Sequence, residues 1–481
     1  MEIRIITRAA SHSGFTVILY QKGGKKPSGL VSAEEWAALT ERTEGGQEDS
    51  LFADARGSRL FCCIKEKKVS PDLLEQIRMK GAEALAHANR LKCTSATLVN
   101  HGTDPDLAYA WAEGFALASY QFLRYKGKKK ELQGSAKELI VTGDGWDNKR
   151  IKELNGLVAG VMLCRDLINE PHSHLTATQF SREMEKAGKK AGFSTKVLHK
   201  KQIEALRMGG LLGVNMGSME PPTFTVMEYR PAKARNKKPL VLVGKGVVFD
   251  TGGLSLKPTP SSMDEMKCDM SGAAAVVGTL FAIAQNKLPV YVIGLVPATD
   301  NRPGMNAIVP QDVLTISNGI TVEVMNTDAE GRLILADALV YAQRYNPELV
   351  IDLATLTGAA VRAIGSYATA VMGTASQEIM DNLMNSGMHA WERMWQFPLW
   401  KDYGEEIKSD VADIKNLGFG NAGQISAAKF LEHFIDYPWI HMDIAGPAWS
   451  NSAQGYRTKG GTGVGVRALY AFIQKHYVNP G

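Results

Sequence analysis

Short apolar runs alternate with longer segments of helical spacing along most of the chain. In the first 150 residues this alternation predicts a small α/β domain. Its predicted strands are 3–7, 16–20, 60–64 and 95–100, and its predicted helices are 71–91 and 107–124.

The apolar runs of the second part are stronger. A helical pattern over 148–167 ends before Pro171 and is expected to link two domains, residues 1–150 and 151–481. Further on, helices predicted at 272–284 and 331–345 separate several of the runs, as in a mostly parallel sheet covered by helices. The predicted strands there are 240–243, 290–295, 321–325, 349–353 and 368–372. We therefore expect an α/β fold, with a small N-terminal α/β domain and a larger C-terminal α/β domain around a mostly parallel central sheet.

Composition agrees with a globular protein of two or three domains, since the 481 residues are 44% hydrophobic and 22% charged. The net charge of +5 makes the surface mildly basic, with lysine-rich clusters at 126–130 and 235–238. Solvated loops explain both clusters, so nucleic-acid binding is possible but unsupported by charge alone.

Targeting and redox features are few. Five scattered cysteines, an odd number, argue against a disulfide framework. The N-terminal residues 1–8 mix charged with apolar positions, unlike a signal peptide, and we find no long apolar run suited to spanning a bilayer. We expect a cytoplasmic protein without membrane partners.

Candidate chemistry begins with the motif Asn326-Thr-Asp-Ala-Glu-Gly-Arg332, between an apolar strand-like run and an apolar helix. Asp328 and Glu330 stand two residues apart, with Arg332 two further on, so extended geometry can point all three in the same direction. Taken alone, the motif also fits a solvated acidic turn at a helix N-terminus.

A second segment follows the apolar run that starts at Leu240. Lys245, Asp250, Lys257 and Asp269 lie there in glycine-rich loops, and charges in so apolar a setting are costly unless they are paired or bind ions. The C-terminal edge of a parallel sheet, where such loops lie, is where ligands bind in doubly wound folds.

Four carboxylates brought together in a poorly solvated cleft would repel one another, and two divalent cations would relieve that repulsion. These carboxylates are Asp250, Asp269, Asp328 and Glu330. Ligands dominated by oxygen suit manganese, magnesium or catalytic zinc. No histidine lies within these motifs, which argues against a Ser-His-Asp hydrolase.

Together the two segments resemble the leucyl aminopeptidase family, the cytosolic di-metal exopeptidases also called M17 peptidases. The resemblance extends over about residues 155–475. Further family-like stretches are Arg165–Pro171, Asp352–Gly358, Ser409–Asn416 and His441–Gly446.

The resemblance implies two metal ions per subunit, held by five residues. Asp250 and Glu330 would bridge both ions, Asp328 would complete one coordination sphere, and Asp269 with Lys245 would complete the other. Lysine can ligate only as the neutral amine, and desolvation beside a dication is expected to favour loss of its proton.

By the same resemblance, a metal-activated water attacks the first peptide carbonyl and Lys257 stabilises the developing oxyanion. Arg332 would hold a bicarbonate ion that acts as general base.

Residues that would line the pocket for the first side chain, or bind the peptide backbone, are Met266, Thr355, Leu356, Gly358 and Ala445. Such a pocket would favour leucine and other mainly apolar residues at the N-terminus of peptide substrates. For Met266, ordinary core filling is an equal alternative. Family membership also implies a homohexamer.

Two other functions remain open from the sequence. A metal-dependent phosphoryl hydrolase uses similar clusters of carboxylates and bases. The second alternative is a DNA-binding protein that retains the fold but has lost the catalytic activity.

Overall fold

The computed structural model describes residues 3–7, 14–54 and 57–479. Met1, Glu2 and Arg8 of the N-terminal segment considered above lie outside this part. The chain divides into an N-terminal unit, Met1–Val158 with Ser452–Thr458, and a C-terminal unit, Ala159–Asn451 with Lys459–Gly481.

The N-terminal unit contains a six-stranded sheet in the order β1-β6-β5-β2-β4-β3. All its strand pairs are parallel except β3 with β4. The strands are β1 (Arg4–Thr7), β2 (Gly14–Gln21), β3 (Asp49–Asp54), β4 (Gly57–Ile64), β5 (Ser95–His101) and β6 (Glu138–Gly143). The helices are α1 (Ala33–Glu44), α2 (Pro71–Arg90), α3 (Pro105–Ala118), α4 (Lys129–Leu132) and the start of α5 (Asn148–Asn169).

The predicted α/β character of this region is confirmed, with two local differences. The helix predicted to reach residue 124 ends at Ala118, where the Ser119 hydroxyl donates to the Ala116 carbonyl and competes with the helical ladder. The lysine cluster at 126–130 is exposed, but its last two residues begin α4 rather than continuing a loop.

The C-terminal unit is built on a larger sheet. Its strands are β7 (Ser194–His199), β8 (Thr223–Tyr229), β9 (Leu240–Gly244), β10 (Gly246–Asp250), β11 (Val292–Asn301), β12 (Val313–Thr315), β13 (Thr321–Glu323), β14 (Leu349–Ala354), β15 (Thr369–Gly373), β16 (Met394–Gln396), β17 (Ile414–Lys415), β18 (Trp439–Asp443), β19 (Trp449–Ser450) and β20 (Gly460–Gly461). Its helices are α6 (Ala177–Ala191), α7 (Lys200–Ala205), α8 (Gly209–Asn215), α9 (Ser271–Gln285), α10 (Gly331–Ala342), α11 (Gly358–Ile364), α12 (Gln377–His389), α13 (Asp402–Glu405), α14 (Gly423–Glu432) and α15 (Val466–Ile473). Short stretches of 3-10 or π-helix cover Met263–Cys268, Gln343–Tyr345 and Gln474–Val478.

The main sheet has nine strands in the order β16-β15-β18-β14-β9-β11-β8-β7, with β10 also paired to β11. Strands β18, β14, β9 and β11 run parallel, so their carboxyl ends meet at one edge. Strands β15, β8 and β7 pair antiparallel toward the sides of the sheet. The predicted mostly parallel central sheet is confirmed.

One predicted strand belongs elsewhere. The run 321–325 was expected in the main sheet, but β13 forms a separate three-stranded sheet with β12 and β17. Its partner β12 is largely exposed, whereas all five residues of the central strand β9 are buried. The small sheet is partly exposed to solvent. Its strands therefore do not belong to the main sheet, whose central strands are covered on both faces.

Helices α9 and α10 both pack against β9 and hold its carboxyl end in the core. The helical stretch Met263–Gln285 has the length and hydropathy of a membrane-crossing segment, but 94% of its apolar window is buried inside the fold. A buried core helix can have the same length and apolar composition as a membrane-crossing segment.

Candidate metal centre

The loops at the carboxyl edge of the main sheet bring ionisable side chains into one cluster. Lys245 directly follows β9, and its backbone N–H donates to the Leu353 carbonyl of the neighbouring β14. Asp250 ends β10, while Asp269 follows the 3-10 helix Met263–Cys268, two residues before α9 begins. The turn before α10 adds Asp328 and Glu330.

Three carboxylates converge most closely. One ligand oxygen from each of Asp250, Asp328 and Glu330 lies within 4.8 Å of the other two. Asp250 and Glu330 are buried, with 2% and 1% of their surface exposed. Burial raises the pKa of Asp328 to about 7, and the charges of Asp250 and Glu330 add to the rise.

Lys245 joins this cluster to Asp269. Its Nζ lies 2.7 Å from Asp269 Oδ1 and 2.9 Å from Glu330 Oε1, and donates to the Thr355 carbonyl at 2.8 Å. Burial lowers the pKa of Lys245, but Asp269, Glu330 and Asp250 together outweigh burial, so its pKa lies above the ordinary value. Without metal, this lysine is an ammonium ion.

Lys257 neutralises the other side of the cluster. Its Nζ lies 2.9 Å from Asp250 Oδ2 and 2.5 Å from Asp328 Oδ1. Burial again lowers the pKa, and the surrounding carboxylates, Asp250 foremost, raise it above the ordinary value. Both lysines therefore act as counter-ions to a cleft with an excess of carboxylates.

The residues present fit divalent cations. Asp269 Oδ2 and Glu330 Oε2 are buried and have no hydrogen-bond partner among the described residues. Burial raises the pKa of Asp269 well above its usual range, and Lys245 opposes that rise. Buried oxygens without partners are costly, and a dication would satisfy them.

A network of neutral groups shapes the loop that carries Asp250. Asp250 Oδ1 accepts hydrogen bonds from the Gly252 N–H and from Asn301 Nδ2, each at 2.8 Å. Gly252 adopts a φ of +85°, which residues with a side chain rarely adopt. The Thr327 hydroxyl donates to the Gly252 carbonyl at 2.6 Å and accepts from the Ser255 N–H at 2.8 Å. The Asp250 loop and the Asp328 turn are thus fastened to each other.

Arg332 lies in the first turn of α10 and is 5% exposed. Its Nη1 donates to the Asn416 carbonyl at 2.8 Å, while its buried Nε has no hydrogen-bond partner within the described chain. Burial lowers the pKa of Arg332 to about 10, which still leaves it charged at neutral pH.

Among the five predicted pocket residues, Thr355 contacts the cluster directly. The Thr355 hydroxyl donates to Asp269 Oδ1 at 2.8 Å. Leu356 and Ala445 are brought together because both backbone N–H groups donate to Asp443 Oδ1. Met266 is half-buried on the 3-10 helix before Asp269, and Gly358 is an exposed residue that begins α11.

Several residues of this region were missed by the sequence reasoning. Asn301, Thr327, Asn416 and Asp443 each hold a loop that carries a candidate site residue. Thr327, Asn416 and Asp443 lay inside the family-like motifs without an assigned role. Asn301 gave no signal, because a neutral amide suggests neither charge nor metal chemistry.

A fold whose parallel sheet gathers carboxylates and lysines at its carboxyl edge defines the class as a metal-dependent α/β enzyme. The model of the cytosol aminopeptidase family, catalytic domain, matches residues 162–470. A probable cytosol aminopeptidase of Chlorobium limicola is 48% identical over 96% of this chain and 90% of its own length. One from Chloroherpeton thalassium is 41% identical over 98% of this chain and 94% of its own length.

Solved structures agree with these relatives. A mutant of tomato leucine aminopeptidase superposes with a TM-score of 0.85 at 29% identity, covering 98% of this chain and 96% of its own. The bottromycin maturation enzyme BotP, in complex with Mn, gives a TM-score of 0.84 at 30% identity and covers 97% and 99%.

The chain belongs to the cytosol aminopeptidase family. It is a metal-dependent aminopeptidase, a hydrolase acting on peptide bonds, and the predicted resemblance is confirmed. The phosphoryl-hydrolase and DNA-binding alternatives are not supported.

Proposed function

We propose that this enzyme removes leucine and other mainly apolar residues from peptide N-termini with two divalent cations per subunit. The observation that carries the proposal is the convergence of Asp250, Asp328 and Glu330 within 4.8 Å. Manganese or zinc is proposed, with magnesium as a third candidate. The manganese bound to BotP supports the first choice.

Five side chains would hold the cations. Asp250 and Glu330 would bridge them, Asp328 would serve one, and Asp269 with Lys245 the other. The contacts of Lys245 Nζ with Asp269 and Glu330 support this division, because they place the nitrogen beside both carboxylates.

Bound dications supply Lewis-acid polarisation of a carbonyl and a nucleophile derived from water at neutral pH. Lys257 is charged and held between Asp250 and Asp328, so it can stabilise negative charge that develops on the carbonyl oxygen. Arg332 would hold bicarbonate, which would supply the general base. Its buried charge and its unpartnered Nε support an anion there.

The proposed pocket consists of Met266, Thr355, Leu356, Gly358 and Ala445. The backbone N–H groups of Leu356 and Ala445 both donate to Asp443 Oδ1, which supports a place for both residues in the same wall of the pocket. The tomato relative is named a leucine aminopeptidase, in agreement with an apolar preference.

Three broader features are also proposed. Residues 1–150 and 151–481 would be separate domains, with catalysis in the second. Assembly as a homohexamer rests on the family resemblance. A cytoplasmic location agrees with the names of the relatives, which are cytosol aminopeptidases.

The test compares Glu330→Ala and Asp250→Ala with Glu348→Ala. Glu348 is an exposed carboxylate before β14, at the opposite end of the strand from the cluster. Metal-stripped protein is assayed on leucine amide and a panel of aminoacyl amides after addition of manganese, zinc or magnesium. We expect both cluster variants to be inactive with each metal and Glu348→Ala to match wild type. Turnover like wild type in either cluster variant would refute the metal assignment.

A further inference from the structure

Asn416 is a buried residue at the end of β17, beside the turn that carries Asp328 and Glu330. Strand β17 pairs in parallel with β13, with Val322 opposite Ile414 and Glu323 opposite Lys415. The Asn416 N–H continues this pairing by donating to the Glu323 carbonyl at 3.0 Å. The small sheet therefore brings Asn416 to the place where the chain leaves β13 for the turn.

The carboxamide of Asn416 bonds almost entirely to backbone. Its Oδ1 accepts from the Met325 N–H at 2.7 Å and from the Asn326 N–H at 3.3 Å. Its Nδ2 donates to the Asn326 carbonyl at 2.8 Å and to the Ala329 carbonyl at 3.4 Å. One planar group thus fixes both ends of a five-residue turn, and the residue is fully buried.

The same residue also reaches the arginine of the motif. Arg332 Nη1 donates to the Asn416 backbone carbonyl at 2.8 Å. The side chain of Asn416 shapes the turn, and its carbonyl orients the guanidinium that follows the turn.

We propose that Asn416 is a positioning residue for the metal centre, which sets the turn so that the Asp328 and Glu330 carboxylates converge on Asp250. This inference rests on the proposed metal ligands. The Asn416 amide offers a donor and an acceptor in one short planar group, as the turn requires. Residues that orient metal ligands by hydrogen bonds typically contribute about 10-fold to 100-fold to metal affinity or activity.

The test uses Mn²⁺ binding to the metal-free full-length protein, measured by calorimetry. The matched control is Asn236, a buried asparagine before β9 whose amide bonds the backbone of Lys238 and Tyr291 at the other end of the sheet. We expect Asn416→Ala to weaken Mn²⁺ binding by about 10-fold to 100-fold. Asn236→Ala should lower the melting temperature but leave Mn²⁺ affinity within about twofold, since it lies far from any ligand.

A second variant, Asn416→Leu, keeps nearly the same side-chain volume and loses both the donor and the acceptor. It adds no charge to the cluster, so weaker Mn²⁺ binding reports the loss of positioning. Weaker binding in this variant supports the proposal even if Asn416→Ala does not fold. Binding equal to or tighter than wild type would overturn it, as would equal weakening by Asn236→Ala. A wild-type protein that binds no Mn²⁺ would instead overturn the proposed function.

Discussion

Metal binding should expel protons from the cluster, and the number of protons follows from the structure. Lys245 is an ammonium ion in the metal-free chain, because the surrounding carboxylates raise its pKa above the ordinary value. To serve as a ligand it must lose one proton. Asp328, with a pKa of about 7, is half protonated at pH 7 and loses about half a proton on average.

Loading the centre at pH 7 should therefore release about one and a half protons per subunit. Lys245 and Asp269 form one ion pair, so the proton they share is counted once. The sign is fixed: metal competes with protons, so apparent affinity rises with pH, about tenfold per pH unit for each proton released.

The assay is calorimetric titration of metal-free protein with Mn²⁺ in buffers of different ionisation enthalpy. The slope of observed enthalpy against buffer enthalpy gives the proton count. At pH 9 Asp328 is already ionised, so we expect its half proton to disappear while the proton of Lys245 is still released. Release of fewer than one proton at pH 9 would refute coordination by the Lys245 amine.

Two further predictions concern single residues. A Cβ at Gly331 would lie 2.5 Å from Lys245 Cε, so Gly331→Ala should displace the amine and weaken Mn²⁺ binding by about tenfold or more. Gly404→Ala, whose Cβ meets nothing closer than 3.5 Å, should bind Mn²⁺ like wild type; equal affinities in the two variants would contradict this reasoning. Burial raises the pKa of Asp337 from 3.8 to about 6, so the folded chain holds a proton there that the unfolded chain loses. Relative to Asp337→Asn, wild type should therefore lose up to about 3 kcal/mol of stability between pH 4 and 6, measured by urea unfolding, and a pH-independent difference would exclude this.

The sequence predicted the parts of the site that depend on charge in an apolar setting. Asp250 and Asp269 follow buried or glycine-rich segments, and the structure brings them to one edge of the sheet, as the parallel pattern predicts. The state of Lys245 was harder to predict. Its neutral form was expected beside a bound dication and stays a prediction. In the metal-free chain the facing carboxylates hold its pKa above the ordinary value, and their number is a property of the folded chain.

The sequence could not assign a role to the neutral residues that position the ligands, although Asn416 lies in one of the family-like stretches. Asn301 and Asn416 act through hydrogen bonds to loops that are 26 to 90 residues away along the chain. Their role depends on which strands pair, and the prediction placed β13 in the wrong sheet. Without that pairing, nothing connects Asn416 with the turn before α10.

We propose that side chains directly after β9, at the end of β10 and in the turns before α9 and α10 bind two divalent cations. Anomalous diffraction from Mn²⁺-soaked crystals tests it most directly. We predict two peaks about 4 Å apart, as in two-metal sites, one beside Asp328 and the other beside Lys245 and Asp269. No peak in this cleft, or peaks only at other carboxylates of the chain, would contradict the account.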